Sequence, residues 1–214
     1  MQLYSYWRST TSFRVRAVLN LKGIACEIVA VDLLAGEQLL PSYLSMNRGA
    51  GVPTLVLDDG SVLTQSLAII DYLDSQWAEP KLIPDDPKRR SQVLALAHTI
   101  AQDVHPVNNL KVLKQLKSRF QATADDVGNW VRYWMVEGFA AAETLIPGNT
   151  EFAFGNGQPD LSDICLAAQV YNAQRWKLDL NPFPKVQYVT KNTLNLPAIQ
   201  AAHPDNQPDA KVTK

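Results

Sequence analysis

The sequence predicts an α/β unit over residues 1–80 followed by an all-α unit over residues 87–214. Three observations support this division. Strand-like and helix-like periodicities alternate through the first eighty residues. Pro80, Pro84 and Pro87 then punctuate the chain within eight residues, as a linker does. Beyond them strand patterns almost cease.

Taken in order, Gln2 to Trp7 follows the two-residue period of a strand. From Phe13 the period lengthens: Val15, Val18 and Leu19 share a helical face, with Arg14, Arg16, Asn20 and Lys22 mostly off it, and Gly23 stops the helix. Ile24 to Leu33 reads as a second strand, apolar on both faces at Ile28 to Val31, as in a sheet covered on both sides. Strand, helix, strand implies a parallel pair with a right-handed crossover. A looser segment leads through Asn47-Arg48-Gly49-Ala50-Gly51 to Val52-Pro53. Thr54 to Leu57 and Ser61 to Leu63 flank Asp58-Asp59-Gly60 as a hairpin. Gln65-Ser66 opens a helix through Leu67, Ile70 and Leu73. A cis Val52–Pro53 bond is an open possibility that would turn the Val52 backbone toward a peptide-like ligand.

In the second unit Asp86 caps a helix with Pro87 in its first turn. That helix runs from Arg89 through Ala101 toward an interruption at Pro106, carrying Asp103 and His105. Thr123 to Asp126 is a capping-box start for an apolar face at Val127, Trp130, Val131, Trp134 and Met135. Asp160-Leu161-Ser162-Asp163 repeats the signal ahead of Ile164 to Ala173. The last turns, Leu196 to Ala202, lead into His203 to Asp209, which reads as a mobile polar tail.

The totals narrow the function. With 46% hydrophobic and 19% charged residues and a net charge of −1, the chain has an ordinary globular composition without the basic excess of a nucleic-acid-binding protein. No stretch approaches the roughly 18 apolar residues of a membrane span. The first residues form a strand rather than a signal peptide. Cys26 and Cys165 each lie in an apolar run with no partner at metal-ligand spacing, so both read as buried thiols in a reducing compartment. A cytoplasmic location and the absence of a bound metal follow as expectations.

The chemistry concentrates at Ser9-Thr10-Thr11-Ser12-Phe13-Arg14-Val15-Arg16. A turn from strand into helix brings hydroxyls and unpaired N–H groups to one point, with the positive end of the helix dipole behind them. Such a turn suits a carboxylate, phosphate or thiolate. Simple capping of the helix accounts for the same residues.

The order of elements, Val52-Pro53 and Gln65-Ser66-Leu67-Ala68-Ile69-Ile70 resemble the thioredoxin-like domain of the cytosolic glutathione transferases. Tyr4-Ser5-Tyr6-Trp7-Arg8-Ser9 and Ser12 to Arg16 resemble the zeta class, which includes maleylacetoacetate and maleylpyruvate isomerases. Asp103 to Leu113, Asn172 to Leu180 and His203 to Asp209 carry the likeness into the second half. The resemblance implies the glutathione transferase fold: a thioredoxin-like glutathione-binding domain, then an all-helical substrate domain.

It also implies glutathione as cofactor and a homodimer. Ser9 takes the position of the thiolate-stabilising serine, with Thr10 beside it. Thr11 stands where many members have cysteine, which removes any mechanism needing a protein thiol there. Gln38, Val52, Gln65 and Ser66 take glutathione-binding positions. His105, Asn108 and Asn109 match positions that face the cofactor from the helical domain. Asn47-Arg48 departs from the usual Asn-Pro, leaving Arg48 as a replacement contact. Arg8 and Arg175 are the cations implied for a dicarboxylate-like keto acid, because guanidinium holds carboxylates bidentately. The implied reaction is cis–trans isomerisation by thiolate addition, bond rotation and elimination. Maleylacetoacetate is favoured by Asn109-Leu110-Lys111, and maleylpyruvate is the alternative. A glutathione transferase or dehalogenase of α-halo acids uses the same groups. A non-catalytic interaction module fits less well, because Ser9 and Gln65-Ser66 are retained.

Overall fold

The computed structural model describes residues 1–210. Its first unit is built on a four-stranded sheet of order β2-β1-β3-β4. Strand β1 (Gln2–Ser5) passes through helix α1 (Thr10–Leu21) to reach β2 (Glu27–Ala30), and the two strands pair in parallel, Gln2 opposite Glu27. Strand β3 (Thr54–Val56) lies antiparallel to β1, and β4 (Val62–Thr64) antiparallel to β3. Gly60 turns the hairpin between them at a φ of 85°, a conformation open to glycine at little cost. A 3-10 turn, Glu37–Leu39, and the single-turn helix α2 (Pro41–Leu44) occupy the long β2–β3 connection, and α3 (Ser66–Gln76) follows β4. Leu3, Val15, Val18, Leu55, Ile69, Ile70 and Leu73 form the buried core.

Three expectations are corrected here. Strand β2 is not covered on both faces: it is the sheet's edge strand, and Ile28 stays 40% exposed. Cys26, at its entrance, is half-buried, while Cys165 is fully buried. The cations of α1 do not face solvent either. Arg16 donates from Nη1 to Ser5 Oγ (2.8 Å), from Nη2 to the Trp7 carbonyl (3.0 Å) and from Nε to the Ala202 carbonyl (3.1 Å). Lys22 reaches the Asp74 carboxylate at 2.9 Å and the carbonyls of Trp77 and Pro80. A buried charge is tolerated where hydrogen bonds or a counter-ion compensate it: neutral oxygens ring the Arg16 guanidinium, and Lys22 has both carbonyls and the Asp74 carboxylate.

The C-terminal segment differs from expectation for a related reason. Residues 195–210 group with Met1–Lys81, leaving Leu82–Leu194 as the other unit. Helix α9 (Pro197–Ala202, after α4 to α8 described below) packs on α1, Asn20 donates to the Ala198 carbonyl, and the His203 ring meets Phe13 edge-on. The expected polar tail is folded: Pro204–Asn206 is a 3-10 turn, and the Trp7 N–H donates to the Asp209 carboxylate at 3.1 Å.

The second unit is helical. Helix α4 (Pro87–His98) is capped by Asp86, which accepts from the Arg89 N–H at 2.8 Å. It continues as a π-helix over Thr99–Val104 before the 3-10 turn Pro106–Asn108. Helices α5 (Leu110–Phe120), α6 (Ala124–Leu145), α7 (Leu161–Arg175) and α8 (Pro184–Leu194) complete it. Every residue from Leu161 to Tyr171 in α7 is buried, with α4 and α8 packed against it. Helix α6 holds the π-helix and the turn after it closely. A Cβ on Gly138 would lie 2.0 Å from the Val104 side chain, Trp130 Nε1 donates to the Val107 carbonyl, and Asn108 Nδ2 donates to the Val131 carbonyl.

Candidate active site

Helix α1 begins where the sequence places its chemistry. Ser9 has extended backbone (φ −72°, ψ 123°) and is the N-cap, its Oγ accepting from the Ser12 N–H at 3.2 Å. Its backbone carbonyl accepts from the Phe13 N–H. Ser9 Oγ lies 2.8 Å from Thr11 Oγ1, and Thr11 donates to the Val52 carbonyl, also at 2.8 Å. Three of the residues singled out from sequence, two neighbours and the remote Val52, are therefore joined in one line of hydrogen bonds. Thr10 is buried beside them, and Arg8 lies with its guanidinium 5.5 Å from the centre of the Trp7 ring.

The Val52 backbone is held from behind. The Tyr43 hydroxyl donates to the Gly51 carbonyl, and Asn47 Nδ2 donates to the same carbonyl and to Thr54 Oγ1. Burial raises the Tyr43 hydroxyl pKa, keeping it a donor. The Val52–Pro53 bond is cis. Asn47 thus anchors the segment although the proline that usually follows it is absent. Tyr43 was not legible from sequence. Asn47 had one local signal, an Asx turn in which its Oδ1 accepts from the Gly49 N–H.

The start of α3 supplies a second anion-suited point. Gln65 is exposed and takes a φ of 69°, a strained value for a residue with a side chain, and such strain clusters at functional sites. Ser66 follows as the first helical residue. It is buried, and its Oγ accepts from Arg14 Nη1 at 3.4 Å. Gln38 is not bonded to these residues. It is buried, donates from Nε2 to the Leu33 carbonyl at 3.4 Å, and leaves Oε1 with no partner among the described residues. A buried acceptor without a donor carries a desolvation cost that an arriving N–H would relieve.

The remaining candidates belong to the second unit. His105 is half-buried before the 3-10 turn, Asn108 keeps a buried Oδ1 without a partner among the described residues, and Asn109 caps α5, accepting from the Lys111 N–H at 3.1 Å. Arg175 is exposed in the last turn of α7, bonded to Asn172 and 6.0 Å from the Tyr171 ring centre. Among the described residues, no three His, Cys, Asp or Glu side chains gather as a metal site. Nor is any helix long and apolar enough to cross a membrane.

A thioredoxin-like sheet with a hydroxyl-rich α1 start, together with a separate helical unit in the same chain, is the architecture of a glutathione transferase. A family profile described as glutathione S-transferase, N-terminal domain, matches residues 3–81. The probable maleylacetoacetate isomerase of Vibrio cholerae is 41% identical over 97% of both chains. The maleylacetoacetate isomerase of Pseudomonas aeruginosa is 39% identical over 98% of both. Among solved structures, a holo maleylpyruvate isomerase described as a bacterial zeta-class transferase superposes with a TM-score of 0.95 at 38% identity, covering 99% of this chain and all of its own. The maleylacetoacetate isomerase of Anaeromyxobacter dehalogenans, with glutathione bound in its active site, superposes with a TM-score of 0.87 at 41% identity, covering 98% and 97%. This chain belongs to the zeta-class glutathione transferase family of maleylacetoacetate isomerases.

Proposed function

We propose that this protein is a glutathione-dependent cis–trans isomerase of maleylacetoacetate-type keto acids. The observation that carries the reading is the Ser9 hydroxyl at the N-terminus of α1, in hydrogen-bonded register with the Val52 backbone. The local chemistry suits a thiol tripeptide. Ser9 and the α1 dipole favour an anion at one point. Val52 offers peptide groups. Ser66, at the positive end of an eleven-residue helix, suits a carboxylate. Gln38 holds an acceptor that no donor among the described residues reaches.

Glutathione, when bound, supplies the nucleophilic thiolate that makes a conjugated cis double bond rotatable. Ser9 stabilises that charge by hydrogen bonding, with Thr10 beside it. Val52, Gln38, Gln65 and Ser66 hold the peptide, and His105, Asn108 and Asn109 add polar contacts from the helical unit. Arg8 and Arg175 bind substrate carboxylates and offset negative charge that develops on the carbonyl oxygen. The protein acts as a cytoplasmic homodimer, a reading supported by exposed apolar side chains such as Val62 and Phe120. Maleylpyruvate is the second substrate reading, favoured by the 0.95 TM-score to an isomerase of that name.

The test follows each maleyl keto acid to its trans isomer, with and without glutathione, in wild type and Ser9→Ala. Glutathione-dependent turnover that collapses in the variant is the expected result. Turnover of maleylpyruvate alone changes the substrate and keeps the chemistry. Inactivity on both, with activity on α-halo acids, replaces the isomerase with a transferase.

A further inference from the structure

The direction of the hydrogen bonds around Ser9 has a mechanistic consequence. The Val52 carbonyl can only accept, and a threonine hydroxyl has one proton. Thr11 gives that proton to Val52 at 2.8 Å, so in the 2.8 Å contact between the two hydroxyls Ser9 donates and Thr11 accepts. Ser9 Oγ meanwhile accepts from the Ser12 N–H. The line therefore runs from Ser12 N–H to Ser9, from Ser9 to Thr11, and from Thr11 to Val52. The only proton of Ser9 is committed to Thr11.

A serine that serves a thiolate must turn that proton outward. If Thr11 stayed as it is, two oxygens 2.8 Å apart would then face each other with no proton between them, which is repulsive. The arrangement is relieved when Thr11 swings its proton from Val52 to Ser9. Ser9 then accepts from both Thr11 and the Ser12 N–H, which polarises its own O–H and makes it a stronger donor. The swing also takes a donor away from the Val52 carbonyl, and a peptide N–H bound there replaces it.

We propose that Thr11 is a positioning residue that couples occupation of the Val52 carbonyl by a ligand N–H to the direction of the Ser9 hydroxyl. Peptide docking at Val52 releases the Thr11 proton to Ser9, and Ser9 turns its own proton to the thiolate. No bond other than hydrogen bonds changes. This rests on the reading that glutathione binds with its thiolate at Ser9 and its cysteinyl amide at Val52.

The experiment titrates the thiolate of protein-bound glutathione by its ultraviolet absorbance, with binding measured alongside by calorimetry. Ser9→Ala loses bound thiolate at neutral pH. Thr11→Val loses it by roughly three- to tenfold, the size of one hydrogen bond. Thr11→Ser, which keeps the hydroxyl, restores most of it. A glutathione analogue with an ester oxygen in place of the cysteinyl amide N–H costs wild type a similar factor and costs Thr11→Val nothing further, because both changes break the same link.

Thr11→Val titrating like wild type while Ser9→Ala loses thiolate overturns the role of Thr11 and leaves the serine intact. Additive losses from the ester and the valine overturn the coupling through Val52. Wild-type thiolate in Ser9→Ala, or no glutathione binding by wild type, overturns the underlying site reading itself. Should Thr11→Val fail to fold, Thr11→Ala and the ester analogue on wild type carry the same comparison.

Discussion

Helices α1 and α7 start with the same signal, a hydroxyl or acidic cap followed by a residue that closes the first turn, yet their starts are built to opposite ends. At α7 the Asp160 carboxylate accepts from the Ser162 N–H at 2.8 Å. Asp163 accepts from the Asp160 N–H at 3.0 Å and from the Ala153 N–H at 2.7 Å. The Asp163 side chain is fully buried, and each of its oxygens has a fixed donor. At α1 a single bond of 3.2 Å joins the Ser9 hydroxyl to the Ser12 N–H, and the proton of Ser9 rests on another hydroxyl that can itself turn. Redundant bonds to carboxyl groups lock a helix start. A hydroxyl leaves it capped but free to change partners, which is what a ligand site requires.

The largest effect that tests this contrast is on stability at α7. Asp163→Ala strands the N–H donors of Ala153, which is buried, and Asp160, which is part-buried, and is expected to cost about 3 kcal/mol, read as a lower denaturation midpoint. Ser9→Ala is expected to cost only about 1 kcal/mol of stability, as loss of a single hydroxyl cap does. Its glutathione-dependent turnover falls about a hundredfold, as when a donor to developing charge is removed. If Ser9→Ala were the more destabilising of the two, the contrast would fail.

A subtler comparison uses pH. Burial, together with the neighbouring Asp160 charge, pushes the Asp163 carboxyl up to about 8. The unfolded carboxyl ionises near pH ~4 while the folded one keeps its proton. This group's contribution to stability therefore falls as pH rises between those values and is level above them. At the exposed capping box of α6, the hydrogen bonds from Thr123 hold Asp126 below the ordinary carboxylate range. Its contribution has the opposite sign: it is present above the unfolded value and lost as pH falls through the folded one. Unfolding free energies measured across pH should lose the fall between pH ~4 and about 8 in Asp163→Asn, and a smaller acid slope in Thr123→Ala. Equal signs in the two variants would show that burial does not distinguish the boxes.

Both capping boxes, the Asp86 cap, the hairpin at Gly60 and the α/β-then-α order could be read from the chain, because each rests on residues close in sequence. Ser9, Thr11 and Val52 were legible as separate candidates, and the likeness to zeta-class sequences gave them roles. Their joining was not legible, since 41 residues separate Thr11 from Val52.

The errors have a common origin. Arg14, Arg16 and Lys22 read as lying mostly off the apolar face of α1, where a charged residue usually meets water. Tertiary structure buries them: Arg16 gathers the end of β1 and the Ala202 carbonyl, and Lys22 meets Asp74. The same packing draws the C-terminal segment onto α1, and the sheet order leaves β2 at an edge although its residues suit an interior. Local sequence determined where elements start and stop, through caps, turns and periodicity whose energies are set within a few residues. Which charges are buried, which strand is covered and which hydroxyl holds the proton depend on groups brought together from distant parts of the chain, and only the tertiary structure decided them.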